Sequence, residues 1–193
     1  MVRTANAASV EFGRTDVAVN SGDITDQPVQ AIIIQSNAKG ILSASGSSAL
    51  RSLAGFELER ELMALAPLEL GSAVQTGSGR LANRGVSRIF HATISESPGG
   101  QPTLPTTRSA LTAALDLSWR SRVELIATPI LGLGSALQDD QRYEWVEAIV
   151  SEVISHIRRR ASQLERVVLV TKYPDDQPLV EQLVREARAT AWR

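Results

Sequence analysis

Residues 32–48 read IIIQSNAKGILSASGSS, an abrupt passage from stiff apolar side chains to almost none. Ile32, Ile33 and Ile34 show no alternation of apolar and polar positions, so they fit a strand buried on both faces. Asn37 follows almost at once, and then come Ala44, Ser45, Gly46, Ser47 and Ser48, which carry little bulk. A core strand feeding such a loop has two explanations. It is an ordinary strand-to-helix connection, or it is a place where backbone comes close to a ligand.

Working outward, short β-branched runs alternate with longer amphipathic ones. Strands are expected at 17–20, 31–36, 72–78, 87–94, 123–130 and 166–173. Leu50, Leu53, Leu58 and Leu62 lie near helical spacing and predict a helix over 48–65, which Gly55 interrupts. Further helices are expected over 108–119, 140–160 and 175–189. Asp139 or Asp140 is placed to cap the third of these, and Arg158, Arg159 and Arg160 suit its negative C-terminal end. Residues 95–107, rich in Pro, Gly, Ser and Thr, are the one long loop. Strands alternating with helices give an α/β fold: a three-layer α/β/α sandwich around a mixed, largely parallel sheet. With 193 residues and no visible boundary, one domain over 1–193 is expected, its first ten residues a frayed terminus or an extra edge strand.

Composition narrows the class. Apolar residues make up 43% of the chain, which suits a globular core, and a net charge of −1 gives no global pull toward nucleic acid. No stretch approaches a membrane-spanning length, and the N-terminus lacks the apolar run of a signal peptide. Zero cysteines exclude thiolate chemistry, and two histidines, His91 and His156, cannot make a histidine-rich zinc site. The expectation is a cytoplasmic domain without metal or cofactor and with no membrane partner. Arg158–Arg160 with Arg166 read as a solvated helix end rather than a nucleic-acid patch.

Three stretches follow strands where open α/β sheets bind ligands: Gly22-Asp23-Ile24-Thr25, the run from Asn37 to Ser48, and Gly132-Leu133-Gly134-Ser135-Ala136. The order of motifs resembles the macro domain, an ADP-ribose-binding α/β/α module. Gly22-Asp23-Ile24-Thr25 matches that family's GDIT stretch, and Ile34-Gln35-Ser36-Asn37 stands where it has Asn-Ala-Ala-Asn. Leu53-Ala54-Gly55, Gly71-Ser72-Ala73, Gln75-Thr76-Gly77-Ser78-Gly79 and Arg88-Ile89-Phe90-His91 follow in order. Pro129-Ile130-Leu131-Gly132-Leu133-Gly134 matches the last loop, and the likeness runs from about Val17 to Leu183.

The resemblance implies a role for each matched position. Asp23 would accept the adenine amino group, with the backbone N–H of Ile24 beside it. Asn37 would face the distal ribose. Ser45, Gly46 and Ser47 would line one side of a diphosphate, and Gly132, Leu133, Gly134, Ser135 and Ala136 the other. Tyr173 would set its ring against adenine. Some positions depart from the pattern: Ile34 replaces the first motif asparagine, Leu42-Ser43-Ala44-Ser45 replaces a glycine run, Ser47 stands where hydrolytic members carry an aspartate, and Ala136 replaces an aromatic residue. The reading is therefore a module that binds ADP-ribose or a related adenine nucleotide without turnover.

Alternatives stand beside it. One is an ADP-ribosyl hydrolase whose water is activated by the substrate's phosphate or by Asn37. Another is a nucleotide-signal sensor, because Pro129–Gly134 also looks like the loop of macro-like domains in bacterial defence proteins. Residue by residue, the rival reading of Asp23 is an Asx turn, that of Asn37 a cap of its own loop, and that of Tyr173 packing. His91 reads as a core histidine, and Trp119, Trp145 and Trp192 as packing. A dinucleotide fingerprint at Gly132-x-Gly134 is rejected, because its third small residue and its acidic partner are missing.

Overall fold

The structure is a computed structural model that describes residues 9–42, 47–134, 137–160 and 163–190; of 47–49 it describes the backbone alone. The strands are β1 (Ser9–Phe12), β2 (Thr15–Ser21), β3 (Ala31–Asn37), β4 (Ala73–Thr76), β5 (Arg88–Ser95), β6 (Leu125–Pro129) and β7 (Arg166–Thr171). They form a seven-stranded sheet in the order β1-β2-β7-β6-β3-β5-β4. β2, β7, β6, β3 and β5 run parallel, and β1 and β4 close the edges antiparallel.

The isoleucine run does what its pattern requires. Ala31 and Ile33 join a cluster with Leu111, Leu115, Val146, Ile149 and Val153 on one face. Ile32 and Ile34 join Leu42, Leu50, Ala54, Leu58 and Leu62 on the other. Each buried isoleucine contributes about 1.5–3 kcal/mol, so both faces hold the strand in place. The helices are α1 (Ser47–Ala54), α2 (Phe56–Ala64), α3 (Leu104–Arg120), α4 (Asp139–Arg159) and α5 (Gln177–Thr190). α1 and α2 cover one face; α3, α4 and α5 cover the other. Gly55, with φ of 101°, makes the break between α1 and α2 that its position predicts.

The differences from expectation have local causes. α3 starts at Leu104 rather than 108, because the Thr103 hydroxyl accepts from the Thr106 N–H (3.3 Å) and Pro105 suits a first turn. Gln138, not an aspartate, precedes α4, and its N–H donates to Gln141 Oε1 at 3.3 Å. Asp139 and Asp140 then fall in the first turn, where the helix dipole favours them. Ser9 and Val10 belong to the edge strand. A 3-10 turn over Gly79–Arg84 was not foreseen. The arginine run is paired rather than merely solvated: Arg159 bonds Glu152, Arg160 bonds Asp116, and Arg158 donates to the Ala187 carbonyl.

Candidate functional site

Four adjacent parallel strands, β2, β7, β6 and β3, deliver their C-terminal loops to one edge of the sheet. That edge is where open α/β sheets place ligands. The loops carry Asp23, Tyr173, Gly132 and the segment after Asn37. Between β3 and β6 the ladder pairs only Ala31 with Ile126 and Ile32 with Ala127. The β3–β5 ladder continues as far as Asn37. Beyond Ile32, then, the β3–β6 ladder stops short of the loops that follow both strands.

After β2, Gly22 adopts φ of 121° and its N–H donates to the Thr171 carbonyl at 2.9 Å, tying this loop to β7. Asp23 is exposed. Its Oδ1 accepts from both the N–H and the hydroxyl of Thr25, each at 2.8 Å. Asp23 thus forms the Asx turn, and because both bonds fall on Oδ1 its other oxygen is left for an external donor. Gln27 fixes the turn by donating to the Asp23 carbonyl (3.1 Å) while accepting from Asn20 (2.7 Å). Ile24 opens the short 3-10 turn and packs half-buried against the α1–α2 core.

After β3, a register shift between Ser36 and Asn37 turns the strand end. Asn37 is buried and serves its own loop: Nδ2 donates to the Ile41 carbonyl at 2.7 Å, and Oδ1 accepts from the N–H groups of Lys39 (3.1 Å) and Ile41 (3.4 Å). Glu59 on α2 holds the next residue, accepting from Leu42 N–H at 2.8 Å while pairing with Arg51 at 3.2 Å. Ser45, Gly46, Ser135 and Ala136 lie outside the described residues, as does the side chain of Ser47, whose backbone opens α1.

After β6, Gly132 has φ of 74°, and a Cβ added there would lie 2.6 Å from Trp145 Cζ2. The indole is fixed in turn, because its Nε1–H donates to the Leu131 carbonyl at 2.8 Å. Only glycine fits this turn. Gly132 N–H donates to Oε1 of Gln35, 3.1 Å away on β3. Leu133 packs half-buried against the core, and the Gly134 carbonyl accepts from Arg142 at 3.3 Å. Arg142 also grips Asp176 Oδ1 at 2.6 and 2.9 Å. This guanidinium therefore joins the β6 loop to the β7 loop. Tyr173 lies in the latter, 45% exposed, with the Lys172 ammonium 5.3 Å from its ring centroid.

The edge carries charges of both signs. The chain has two lysines, Lys39 and Lys172. Both are exposed and both stand on loops of this edge. His91 lies on β5, in the interior. Thr76 Oγ1 donates to the Gly77 carbonyl (2.9 Å), so the His91 Nε2 beside it (2.8 Å) must be the donor. Nδ1 is then a buried acceptor without a partner, and burial lowers the His91 pKa to about 3. The ring stays neutral and sealed, a core histidine satisfied at one nitrogen.

The macro domain family model matches residues 36–143, more than half of the chain. The chain belongs to the macro domain family. A curated relative from Aquifex aeolicus, an uncharacterized protein, is 30% identical over 155 residues, covering 80% of this chain and 89% of its own. Another, an uncharacterized protein of Aeropyrum pernix, is 34% identical over 123 residues, 64% of each chain. Among solved structures, the Oceanobacillus iheyensis macrodomain with ADP superposes with a TM-score of 0.78 at 16% identity, over 95% of this chain and 97% of that one. The Trypanosoma brucei macrodomain in complex with ADP gives 0.75 at 16%, over 87% and 68%. The macrodomain of Mycobacterium tuberculosis DarG gives 0.65 at 15%, over 79% and 96%.

In this macro domain Asp23, Ile24, Asn37, Gly132, Leu133, Gly134 and Tyr173 fall on the expected edge. Sequence reasoning missed Gln35, Lys39, Glu59, Arg142, Trp145 and Asp176 as parts of it. The two lysines were visible as a compositional oddity, and Gln35 as the polar residue after three isoleucines. Arg142, Asp176 and Glu59 act through partners on other elements and leave no local signature.

Proposed function

We propose that this macro domain binds ADP-ribose or a related adenine nucleotide at the loops that follow β2, β3, β6 and β7, and does not hydrolyse it. The observation that carries the reading is the convergence of Asp23, Gly132, Tyr173 and both lysines on one edge of the parallel strands. Asp23 Oδ2 suits an amino donor, Tyr173 a planar base, and the two ammonium groups a diphosphate. Structural neighbours from Trypanosoma brucei and Oceanobacillus iheyensis hold ADP or ADP-ribose, which supports the same ligand class here.

Absence of turnover is supported by the state of the candidate groups. Asn37 spends both ends of its amide on residues 39–41, so it is poorly placed to orient a water. His91 is a sealed, weakly basic imidazole and cannot serve as a general base. The test is a pair of assays on the same preparation. Thermal shift with ADP-ribose reads binding, and incubation with ADP-ribosylated protein and ADP-ribosylated DNA reads turnover. Binding with intact substrates is the predicted result. Release of ADP-ribose at low enzyme concentration would replace the binder with a hydrolase.

A further inference from the structure

Gln35 occupies an odd place. Every other residue of β3 is buried, and Gln35 alone is exposed. The strand is central, flanked by β6 and β5, and the exposed amide stands beyond the point where the β3–β6 ladder ends. The Gly132 N–H points at it from 3.1 Å. A peptide N–H can only donate, so the atom facing Gly132 is the carbonyl oxygen, and this settles which end of the amide is which. The NH2 group is thereby turned away from Gly132, and it makes no hydrogen bond among the described residues. Acceptance at the oxygen polarises the amide and makes the NH2 a better donor.

We propose that Gln35 is a ligand contact: its oxygen takes up the Gly132 N–H, and its NH2 presents that donor capacity to an oxygen of the ligand's diphosphate. The inference rests on the nucleotide-binding reading above and adds a residue to it. A neutral donor tethered to the β6 turn suits a phosphate oxygen, which can only accept, and the two exposed lysines stand on loops of the same edge. It also means that the first N–H of the turn reaches the ligand through a side chain rather than directly.

The rival explanation is that Gln35 merely props the turn. Gln35→Glu separates the two, since a carboxylate still accepts from Gly132 N–H but offers no donor and adds negative charge. Gln35→Met removes both polar ends at similar length and controls for the added charge. Calorimetric titrations of the full chain with ADP and with ADP-ribose read the effect, alongside the melting temperature of each ligand-free variant. The expected result is a loss of about 10–100-fold for both ligands in both variants, at least as large in Gln35→Glu, with an unchanged melting temperature in Gln35→Glu, which keeps the acceptor for Gly132. Wild-type affinity in Gln35→Glu would overturn the inference while leaving the nucleotide site standing. A loss for ADP-ribose with none for ADP would move the contact to the distal ribose and overturn the phosphate assignment. Losses that only track lowered melting temperatures would reduce Gln35 to a prop. A wild-type chain that binds neither ligand would overturn the site reading itself, and this inference with it.

Discussion

Gly132→Ala is the substitution whose cost can be worked most fully from the structure. An alanine would keep φ near 74°, in the left-handed region, which costs about 1–2 kcal/mol for a residue with a Cβ. Its methyl would sit 2.6 Å from Trp145 Cζ2, 3.1 Å from Cε2 and 3.2 Å from Nε1, whereas carbon atoms settle at about 3.5–4.0 Å. The indole must therefore shift by roughly 1 Å to regain that spacing. Its bond to the Leu131 carbonyl, 2.8 Å long, would weaken, at about 1 kcal/mol. Together the terms come to about 2–3 kcal/mol, or a melting temperature lower by roughly 4–12 °C for a chain of this size. Urea denaturation of the wild type, Gly132→Ala, Trp145→Phe and the double variant would measure it. Because the smaller ring relieves the clash, the double variant should be more stable than the sum of the singles predicts, by about 1 kcal/mol. A Gly132→Ala protein within about 0.5 kcal/mol of wild type, the level of an ordinary surface change, would refute the reasoning.

Three further outcomes follow from the same geometry. Arg142→Ala strands the buried Asp176 carboxylate and should cost about 2–4 kcal/mol; Asp176→Asn with Arg142→Ala should then be far from additive, and additivity would show that the clamp is idle. His91 has a folded pKa of about 3 against an ordinary 6.5, and burial lowers that of His156 as well. As pH falls below 6.5 the unfolded chain takes protons that the folded chain refuses, so His91 destabilises by up to about 1.4 kcal/mol per pH unit until about pH 3. Its effect is absent above pH 6.5. Denaturation curves between about pH 4.5 and 7.5 should therefore show a slope that His91→Gln reduces; an unreduced slope would mean that His91 is not neutral in the fold. Finally, an amine-reactive reagent should modify Lys39 and Lys172 in the free protein and both less with ADP-ribose bound. Mass spectrometry of the peptides would show this, and equal labelling with and without ligand would remove both lysines from the site.

Much of the architecture was legible because burial on two faces leaves an unmistakable pattern. Ile32–Ile34 and Val167–Val170 could only be core strands, and the intervening leucines at helical spacing supplied the covering layers. The loops bearing Asp23 and Gly132 were readable for a similar reason, since glycines and turn formers after a strand mark the edge where ligands sit. What sequence reasoning could not supply was pairing between residues far apart in the chain. Nothing near Gly132 announces that Trp145 fills the space its side chain would need, or that Gln35 reaches its N–H. Of the two readings open for Asn37, its hydrogen bonds display the loop cap. Its type and position suggest a ligand contact, but the bulge at Ser36 turns its amide into the 38–41 loop, where it satisfies backbone groups. α3 was set to begin late for a simpler reason: the Pro and Thr residues before Arg108 look like loop, yet Thr103 and Pro105 are what a helix start requires.

The most direct test of the account is a calorimetric titration of the full chain with ADP-ribose. The account predicts one site per chain with a dissociation constant in the micromolar range. At a free ligand concentration ~100-fold above that constant, stability should rise by about 2.7 kcal/mol. No heat, and no rise in melting temperature at roughly millimolar ligand, would contradict it.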